Sequence, residues 1–285
     1  MINVAQPDVR LREMAKDDIA QAHELSRALQ WPHRPEDWEF LLQHGSGVVA
    51  ERDGEVVGTA MGWPYGADAA TLGMVIVSHT CQGAGVGRKL MNGVLDRLGD
   101  RTVMLNATDE GIALYERMGF VRYGTILQHQ GAAFSVPLTE LLPDERVRPL
   151  GARDDVTVRE LDRRATGMDR SGLIGSLLDV SQGVVLTRGH EPAGFSLFRR
   201  FGRGYVVGPT VAPDIGGAKA LISHWLGSNA GMFCRVDVPE DSGLSGWLDD
   251  LGLQCVGRVT RMVRGPALPQ DPSLKTFSLV NQALG

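Results

Sequence analysis

The sequence has few cysteines, no long apolar run and no excess of positive charge, and each absence excludes a class of protein. Its three cysteines, Cys81, Cys234 and Cys255, form no C-x-x-C pair and no zinc-type cluster with histidine, so no metal site is expected and a reducing compartment is favoured. No apolar run approaches the roughly 20 residues that span a bilayer, and the N-terminal segment lacks the apolar core of a signal peptide. The formal net charge of −5 gives no general electrostatic reason to bind nucleic acid or an anionic membrane. We therefore expect a cytoplasmic protein with no nucleic-acid or membrane partner.

The length of the chain predicts two domains. Its 285 residues exceed the usual size of one domain. With 43% hydrophobic and 22% charged residues, the composition is that of an ordinary soluble protein, so either half is able to bury a core of its own.

An internal repeat supports this division. The pattern G-V-V-x-x-R-x-x-E-x-x-G over residues 47–58 returns without gaps over residues 183–194. Two weaker matches lie on either side of this pattern and keep the same order. Val9-Arg10 followed by Asp17-Asp18 resembles Val147-Arg148 followed by Asp154-Asp155, and Met118-Gly119-Phe120 resembles Leu251-Gly252-Leu253. The alternative is coincidental turn chemistry. Two long repeats indicate two similar domains rather than a solenoid.

We place the first domain at residues 1–140 and the second at residues 147–285. The junction near residues 142–146 contains proline and clustered charge, which is typical of an exposed linker.

The first repeat has mixed helical and strand patterns. We predict helices over residues 17–29, 35–43, 85–98 and 109–118, and strands over 9–14, 47–52, 55–63, 71–77 and 102–106, with a hairpin turn at Asp53-Gly54. These elements predict an α/β or α+β layer fold. Each domain is then a mainly antiparallel, twisted sheet flanked by helices.

The segment from Val75 to Arg88 is the sharpest chemical signal. An apolar strand runs through a glycine-rich turn into a helix, where glycines let the main chain approach a ligand and free N–H groups with the helix dipole favour a phosphate. The P-loop pattern does not fit, and the dinucleotide fingerprint has Arg88 in place of its last glycine. The acetyl-CoA diphosphate loop, [QR]-x-x-G-x-[GA], fits over residues 82–87. A structural strand-to-helix turn is the remaining alternative.

Residues 8–137 resemble the GNAT superfamily of acetyltransferases. The loop motif is followed at roughly the family's spacing by residues 111–120, similar to the family pattern A-x-x-x-Y-x-x-x-G-F. This resemblance implies that acetyl-CoA binds as acyl donor, without a metal. Its pantetheine arm would pair with strand residues Val75, Ile76 and Val77. Its diphosphate would lie on Gln82, Gly83, Ala84, Gly85, Val86, Gly87 and Arg88.

The resemblance also implies a reaction, in which a neutral amine attacks the thioester directly and Tyr115 protonates the departing thiolate. The alternative for Tyr115 is a packing role on the sheet. Thr108 stands where many members have asparagine, and we expect it to contact the cofactor or cap the helix.

The family's general base is missing, because residues 71–77 contain no carboxylate. His33, His79 and Glu110 are candidates by position alone, and each has a structural alternative. Cys81 lacks the surroundings of a nucleophile, so we expect it to be structural. Trp31, His33 and Trp38 are candidate acceptor contacts, with core packing as the alternative for the tryptophans, and Asp237 is a further candidate for a cationic amine.

The second repeat resembles the C-terminal domain of tandem GNAT proteins, in segments such as residues 168–171, 208–212 and 261–265. By alignment three residues of the phosphate loop are missing there, and Leu248 stands in place of Tyr115. We therefore expect a non-catalytic second domain. The leading hypothesis is an N-acetyltransferase for a small-molecule primary amine, as monomer or homodimer. Alternatives are an acyl-CoA or amine sensor without turnover, and a protein N-acetyltransferase.

Overall fold

The two halves of the chain form the same elements in the same order. The computed structural model describes residues 9–137 and 139–285; residues 1–8, which the predicted first domain includes, lie outside the described part. The first half contains β1 (Arg10–Glu13), α1 (Ile19–Ala28), α2 (Pro35–His44), β2 (Ser46–Arg52), β3 (Glu55–Tyr65), β4 (Ala69–Val77), α3 (Val86–Leu98), β5 (Thr102–Ala107), α4 (Asp109–Arg117) and β6 (Val121–Ala132). The second contains β7 (Glu145–Pro149), α5 (Asp155–Thr166), α6 (Ser171–Val180), β8 (Gln182–Arg188), β9 (Glu191–Phe201), β10 (Gly204–Ala212), α7 (Ile215–Ser228), β11 (Phe233–Pro239), α8 (Ser245–Asp250), β12 (Leu253–Arg264) and the additional strand β13 (Lys275–Ser278).

Local sequence signals explain several element boundaries. Asp53 and Gly54 have φ angles of 53° and 84°, as the tight turn of the predicted β2–β3 hairpin requires. Pro35 is the first residue of α2, where a missing N–H costs nothing. Gly119, with a φ of 87°, ends α4.

The repeats also share an ion pair. Arg12 donates to both carboxylate oxygens of Asp18 at 2.7 Å, and Arg148 donates to those of Asp154 at 2.7 and 2.8 Å. The strand registers make Arg12 equivalent to Arg148, because they lie opposite the equivalent valines of β2 and β8. The sequence match of Val9-Arg10 with Val147-Arg148 is therefore out of register by two residues. A shift of two preserves the inward and outward alternation of side chains, so the pattern alone does not reveal it.

One sheet runs through both repeats in the order β1-β2-β3-β4-β5-β12-β6-β11-β10-β9-β8-β7. Among the strand pairs of the described residues, only β4–β5 and β10–β11 are parallel, which confirms the predicted mainly antiparallel fold. The repeats exchange their last strands, since β12 pairs with β5 and β6 pairs with β11. The equivalent residues Ile126 and Val259 lie opposite each other, so β6 and β12 meet about an approximate two-fold axis.

The junction between the repeats differs from the expected linker at its C-terminal end. Glu145 begins β7, is buried and accepts a hydrogen bond of 2.7 Å from Arg188. The charge that resembled a linker in the sequence thus forms an ion pair within the second repeat.

The helices cover both faces of the sheet. On one face of the first repeat, α3 and α4 bury residues such as Leu72 and Leu90. On the other face, a cluster that includes Trp38 and Trp63 continues into Leu173 and Leu177 of α6. The two repeats therefore share a core as well as a sheet.

Candidate active site

Strands β4 and β5 separate along their length. Their parallel ladder covers only Ala69–Thr71 opposite Thr102–Met104, and within the described residues it does not continue toward the carboxyl ends. Beyond that point β5 pairs on its other edge with β12. The edge of β4 over residues 73–77 therefore faces a gap with unused main-chain groups.

A bulge lies in β4 just past the point where this gap begins. The register with β3 changes between the pairs Met61–Gly73 and Thr59–Ile76. Met74 lies between them in the left-handed region, with a φ of 51°, at a cost of roughly 1–2 kcal/mol for a residue with a side chain. The Thr59 hydroxyl donates to the Met74 carbonyl at 2.7 Å in the core, which holds the bulge in place.

The loop between β4 and α3 is open around the predicted diphosphate site. Gly83 and Gly85 have φ angles of 76° and 77°, and a Cβ added at either would meet no atom within 4 Å. Gly85 is the N-cap of α3, and no side chain caps the helix. The N–H groups of Val86, Gly87 and Arg88 lack intrahelical partners by virtue of their position. They begin a helix that an anion is able to approach.

The polar side chains of this loop face solvent. Gln82 is exposed and donates to the Val77 carbonyl at 3.3 Å, which closes the loop onto the end of β4. Arg88 is exposed in the first turn of α3. Ala84, Val75 and Val77 are partly buried against the α3 face of the sheet, whereas Ile76 belongs to the core on the opposite face.

Tyr115 lies on α4, packed on the same face as the loop. Its side chain is buried and contacts Phe120, with ring centroids 6.2 Å apart. Burial raises the pKa of the Tyr115 phenol to about 12, so the hydroxyl stays protonated. No hydrogen bond of this hydroxyl to another described residue is present. Thr108 is the N-cap of α4. The pKa of the Glu110 carboxyl group is lowered, mainly by a hydrogen bond from its own backbone N–H and also by one from the Thr108 side chain.

The other candidate bases differ in their surroundings. His79 is exposed at the start of the loop's 3-10 turn. His33 packs among Trp31, Trp38 and Phe201, and burial lowers the pKa of its imidazole to about 4. Cys81 is buried beneath the loop.

Three of the four predicted acceptor residues, Trp31, His33 and Trp38, pack together, but as part of the core. Trp38 is fully buried with its indole N–H on Ser26 at 3.2 Å, and Trp31 packs against the same core. Asp237 lies on β11 of the second repeat, fully buried, in an ion pair of 2.8 Å with Arg235.

The equivalent gap in the second repeat is filled by the chain itself. In the described part of the chain, strands β10 and β11 pair only at Tyr205–Cys234 and Val206–Arg235. Strand β13 then pairs with β10 along Thr210–Ala212. The following Leu279 donates its N–H to the Asp237 carbonyl of β11 at 2.9 Å. The tail thus occupies the position that a pantetheine arm would need.

The start of α7 is occupied as well. Only Pro213 and Asp214 separate β10 from α7, whereas residues 78–85 separate β4 from α3, so the loop is shorter than the alignment predicted. The Asp214 carboxylate accepts the Gly217 N–H at 2.9 Å and contacts Arg188. A carboxylate thus caps the helix at the place where the first repeat leaves it free.

A cavity of about 480 Å³ adjoins the closed end of the first gap. Thr71 of β4 and Met104 and Asn106 of β5 line it, together with β12 and the segment after Pro266. The sequence offers little signal for this wall, because the segment lacks a periodic pattern and its partners are distant in the chain.

The tail is held by a buried arginine from the 168–171 motif. Arg170 pairs with Asp162 at 2.6 Å and donates to the main-chain oxygens of Leu284 and Gly285 at 3.1 and 2.6 Å. Both charged side chains are almost wholly buried, so removal of one would leave the other unpaired.

Two absences apply to the described part of the chain. Over residues 9–137 and 139–285, no three His, Cys, Asp or Glu side chains are grouped to hold a metal ion. In the same residues, no helix is long and apolar enough to cross a membrane.

Comparisons with known proteins agree with this duplicated arrangement. A model of the acetyltransferase (GNAT) family matches residues 11–120, and a model of an acetyltransferase (GNAT) domain matches residues 158–275. The Bacillus subtilis (strain 168) protein YitH, named an uncharacterized N-acetyltransferase, is 26% identical over 262 residues, which cover 90% of this chain and 91% of that protein.

Solved structures support the fold. A Pyrococcus horikoshii protein assigned as an acetyltransferase superposes with a TM-score of 0.80 at 20% identity, over 100% of this chain and 99% of that one. A tandem GNAT protein from the clavulanic acid biosynthesis pathway superposes with a TM-score of 0.62 at 17% identity, over 91% and 100% of the respective chains.

Proposed function

Because the chain belongs to the GNAT superfamily of N-acetyltransferases in its tandem-domain form, we propose that it transfers acetyl from acetyl-CoA to the primary amine of a small molecule. The donor binds only to the first repeat. The observation that carries this proposal is the contrast between one open gap with an uncapped helix and one gap filled by β13 with a helix capped by Asp214.

The first repeat fits the proposed donor. The α3 N–H groups near Gly85 bind the diphosphate, since glycine at residues 83 and 85 leaves the approach clear. Arg88 adds a full positive charge beside them. The free edge of β4 from Val75 to Val77 binds the pantetheine arm by main-chain hydrogen bonds. Acetyl-CoA supplies the thioester that the amine attacks.

The chain's own groups then act on the reacting atoms. A β4 N–H near Val75, on the edge that β5 leaves unpaired, donates to the thioester carbonyl oxygen as negative charge develops there. Tyr115 donates its phenolic proton to the departing sulfur. The apolar surroundings that raise the pKa of this phenol to about 12 also raise that of a thiol, which keeps the transfer feasible. With no carboxylate on β4, the amine loses its proton to water or binds in its neutral form.

An acyl-CoA sensor is the second candidate, and the missing base on β4 is the observation that favours it. Release of free thiol from acetyl-CoA separates the two functions when it is measured across a panel of primary amines. Release that depends on the added amine supports the enzyme. Tight acetyl-CoA binding without amine-dependent release at any concentration supports the sensor.

A further inference from the structure

The cavity beside the first gap is placed to hold the acceptor. Its wall includes Thr71 and Met104, the residues at which the β4–β5 ladder ends, and Asn106 beyond that point. An amine in this cavity lies next to the place where the thioester would be held, so this inference rests on the proposed function. The volume of about 480 Å³ is typical of small-molecule sites.

The C-terminal segment forms the opposite wall of the cavity. Gln282 accepts a hydrogen bond of 2.7 Å from the Asn106 amide through its main-chain oxygen. Ala283 packs against β4, since a Cβ atom added at Gly73 would lie 3.2 Å from the Cβ atom of Ala283. The Leu284 carbonyl accepts from the Tyr65 hydroxyl at 3.1 Å. These contacts fix the segment to both β4 and β5.

The charged side chains around the cavity are two cations, Arg261 and Lys275, and one carboxylate, Asp241. The Arg261 guanidinium lies 4.5 Å from the centre of the Tyr123 ring, and within residues 9–137 and 139–285 it forms no ion pair. Its stem passes over Gly124, where an added Cβ would come within 3.4 Å. The planar donors of an arginine held in this way suit a carboxylate or a phosphate.

The filled gap between β10 and β11 has no such cation at the equivalent position, which lies on the exchanged strand β6. Arg261 of β12 lies opposite Asn106 of β5. The strand registers make this pair equivalent to Gln128 of β6, which lies opposite Asp237 of β11. The Gln128 side chain lies within 3.4 Å of those of Gln130 and Gln282, and Asp237 is paired with Arg235. The unpaired arginine is thus specific to the side on which the donor gap is open.

We infer that this cavity is the acceptor site, and that the acceptor is a small primary amine that also bears a carboxylate or phosphate group bound by Arg261. The arginine fixes the anionic end of the molecule. The apolar wall, which includes Met104, Val263 and Leu274, covers its carbon chain. The amine then points to the gap between β4 and β5.

Matched probe pairs test this inference. We propose to compare 5-aminopentanoate with pentylamine, and phosphoethanolamine with ethanolamine, as acceptors with acetyl-CoA. The anionic member of at least one pair should have a kcat/KM about tenfold or more above its neutral counterpart. Arg261→Gln, which installs the residue found at the equivalent position beside the filled gap, should abolish this preference by raising the KM for the anionic amine. Arg261→Lys should retain part of it.

Arg264→Gln is the matched control, because Arg264 lies on the same strand, is exposed and does not line the cavity. It should leave the anionic preference unchanged. Acetyl-CoA affinity, measured by calorimetry on each variant, separates this inference from the proposed function, since absence of donor binding would overturn both. With donor binding intact, three results would overturn the inference alone: a preference for the neutral amines, an anionic preference that survives Arg261→Gln, or no reaction with any of the four probes.

Discussion

The two repeats contain the same strands and helices, but they differ at the two places where an acyl-CoA would bind. In the first repeat the gap between β4 and β5 is open and α3 begins at an uncapped glycine. In the second, β13 fills the gap and Asp214 caps the helix. If the proposed function holds, a donor site is lost in the second repeat with little change in fold, through a carboxylate at a helix start and a strand in a gap.

The same comparison suggests what the second repeat does instead. It contributes β12 to the sheet beside β5, and the tail that fills its own gap continues into the wall of the first repeat's cavity. We propose that it serves the first repeat by forming part of the acceptor site.

The largest effect is expected from Gly85→Trp. The indole would fill the space over the start of α3, and the positive φ of Gly85 disfavours any residue with a side chain. We expect acetyl-CoA affinity to fall at least about a thousandfold, roughly 4 kcal/mol, by calorimetric titration. Gly216→Trp makes the same change at the exposed start of α7 and should leave affinity unchanged. Equal losses in the two variants would contradict the comparison.

A second large effect is expected from Phe277→Ala in β13. This ring is buried in the core of the second repeat, so its removal should lower the free energy of unfolding by about 3–5 kcal/mol. Phe134→Ala, at a side chain that is 80% exposed, should change it by no more than about 0.5 kcal/mol. Chemical denaturation of both variants measures this. A small effect at Phe277 would mean that β13 is a detachable segment rather than part of the fold.

Tyr115→Phe should reduce turnover about a hundredfold while acetyl-CoA affinity stays nearly constant, because the ring remains and only the proton donor is lost. Since the pKa of Tyr115 is raised to about 12, its phenolic proton is present throughout the pH range in which enzymes are usually assayed. Activity of the parent protein should therefore show no decline from this group below about pH 11. Tyr205→Phe in the second repeat keeps a ring stacked on Phe198 and should leave turnover unchanged. A full rate in Tyr115→Phe would remove this residue from the mechanism.

The smallest effect is expected from Asp214→Ala. Loss of the cap on α7 should lower the free energy of unfolding by about 1 kcal/mol, as measured by denaturation. We expect no second acetyl-CoA site in this variant, because β13 still fills the gap. The appearance of a second site would show that the carboxylate alone excludes the donor.

Much of the first repeat could be predicted from local signals. The Asp53-Gly54 turn and the glycines of the 82–88 loop each specify a backbone conformation through residues close together in sequence. The predicted fold class was confirmed for the same reason, since the period of apolar residues identifies strands and helices without knowledge of their partners.

The features that depend on distant partners could not be predicted in this way. The exchange of β6 and β12 leaves the local pattern of each strand unchanged, so the sequence does not indicate which neighbour each one pairs with. The Lys275–Ser278 strand is short and shows little alternation, and its place in a gap is set by β10 and β11. From the sequence, Arg261 could be identified only as part of the motif at residues 261–265. Its position opposite Asn106 results from the strand exchange.

Calorimetric titration of the full chain with acetyl-CoA tests the central claim most directly. If only the first repeat binds the donor, saturation occurs at one acetyl-CoA per chain, and Gly85→Trp abolishes the heat of binding. A stoichiometry of two would contradict the assigned difference between the repeats, and the absence of any binding would contradict the donor site itself.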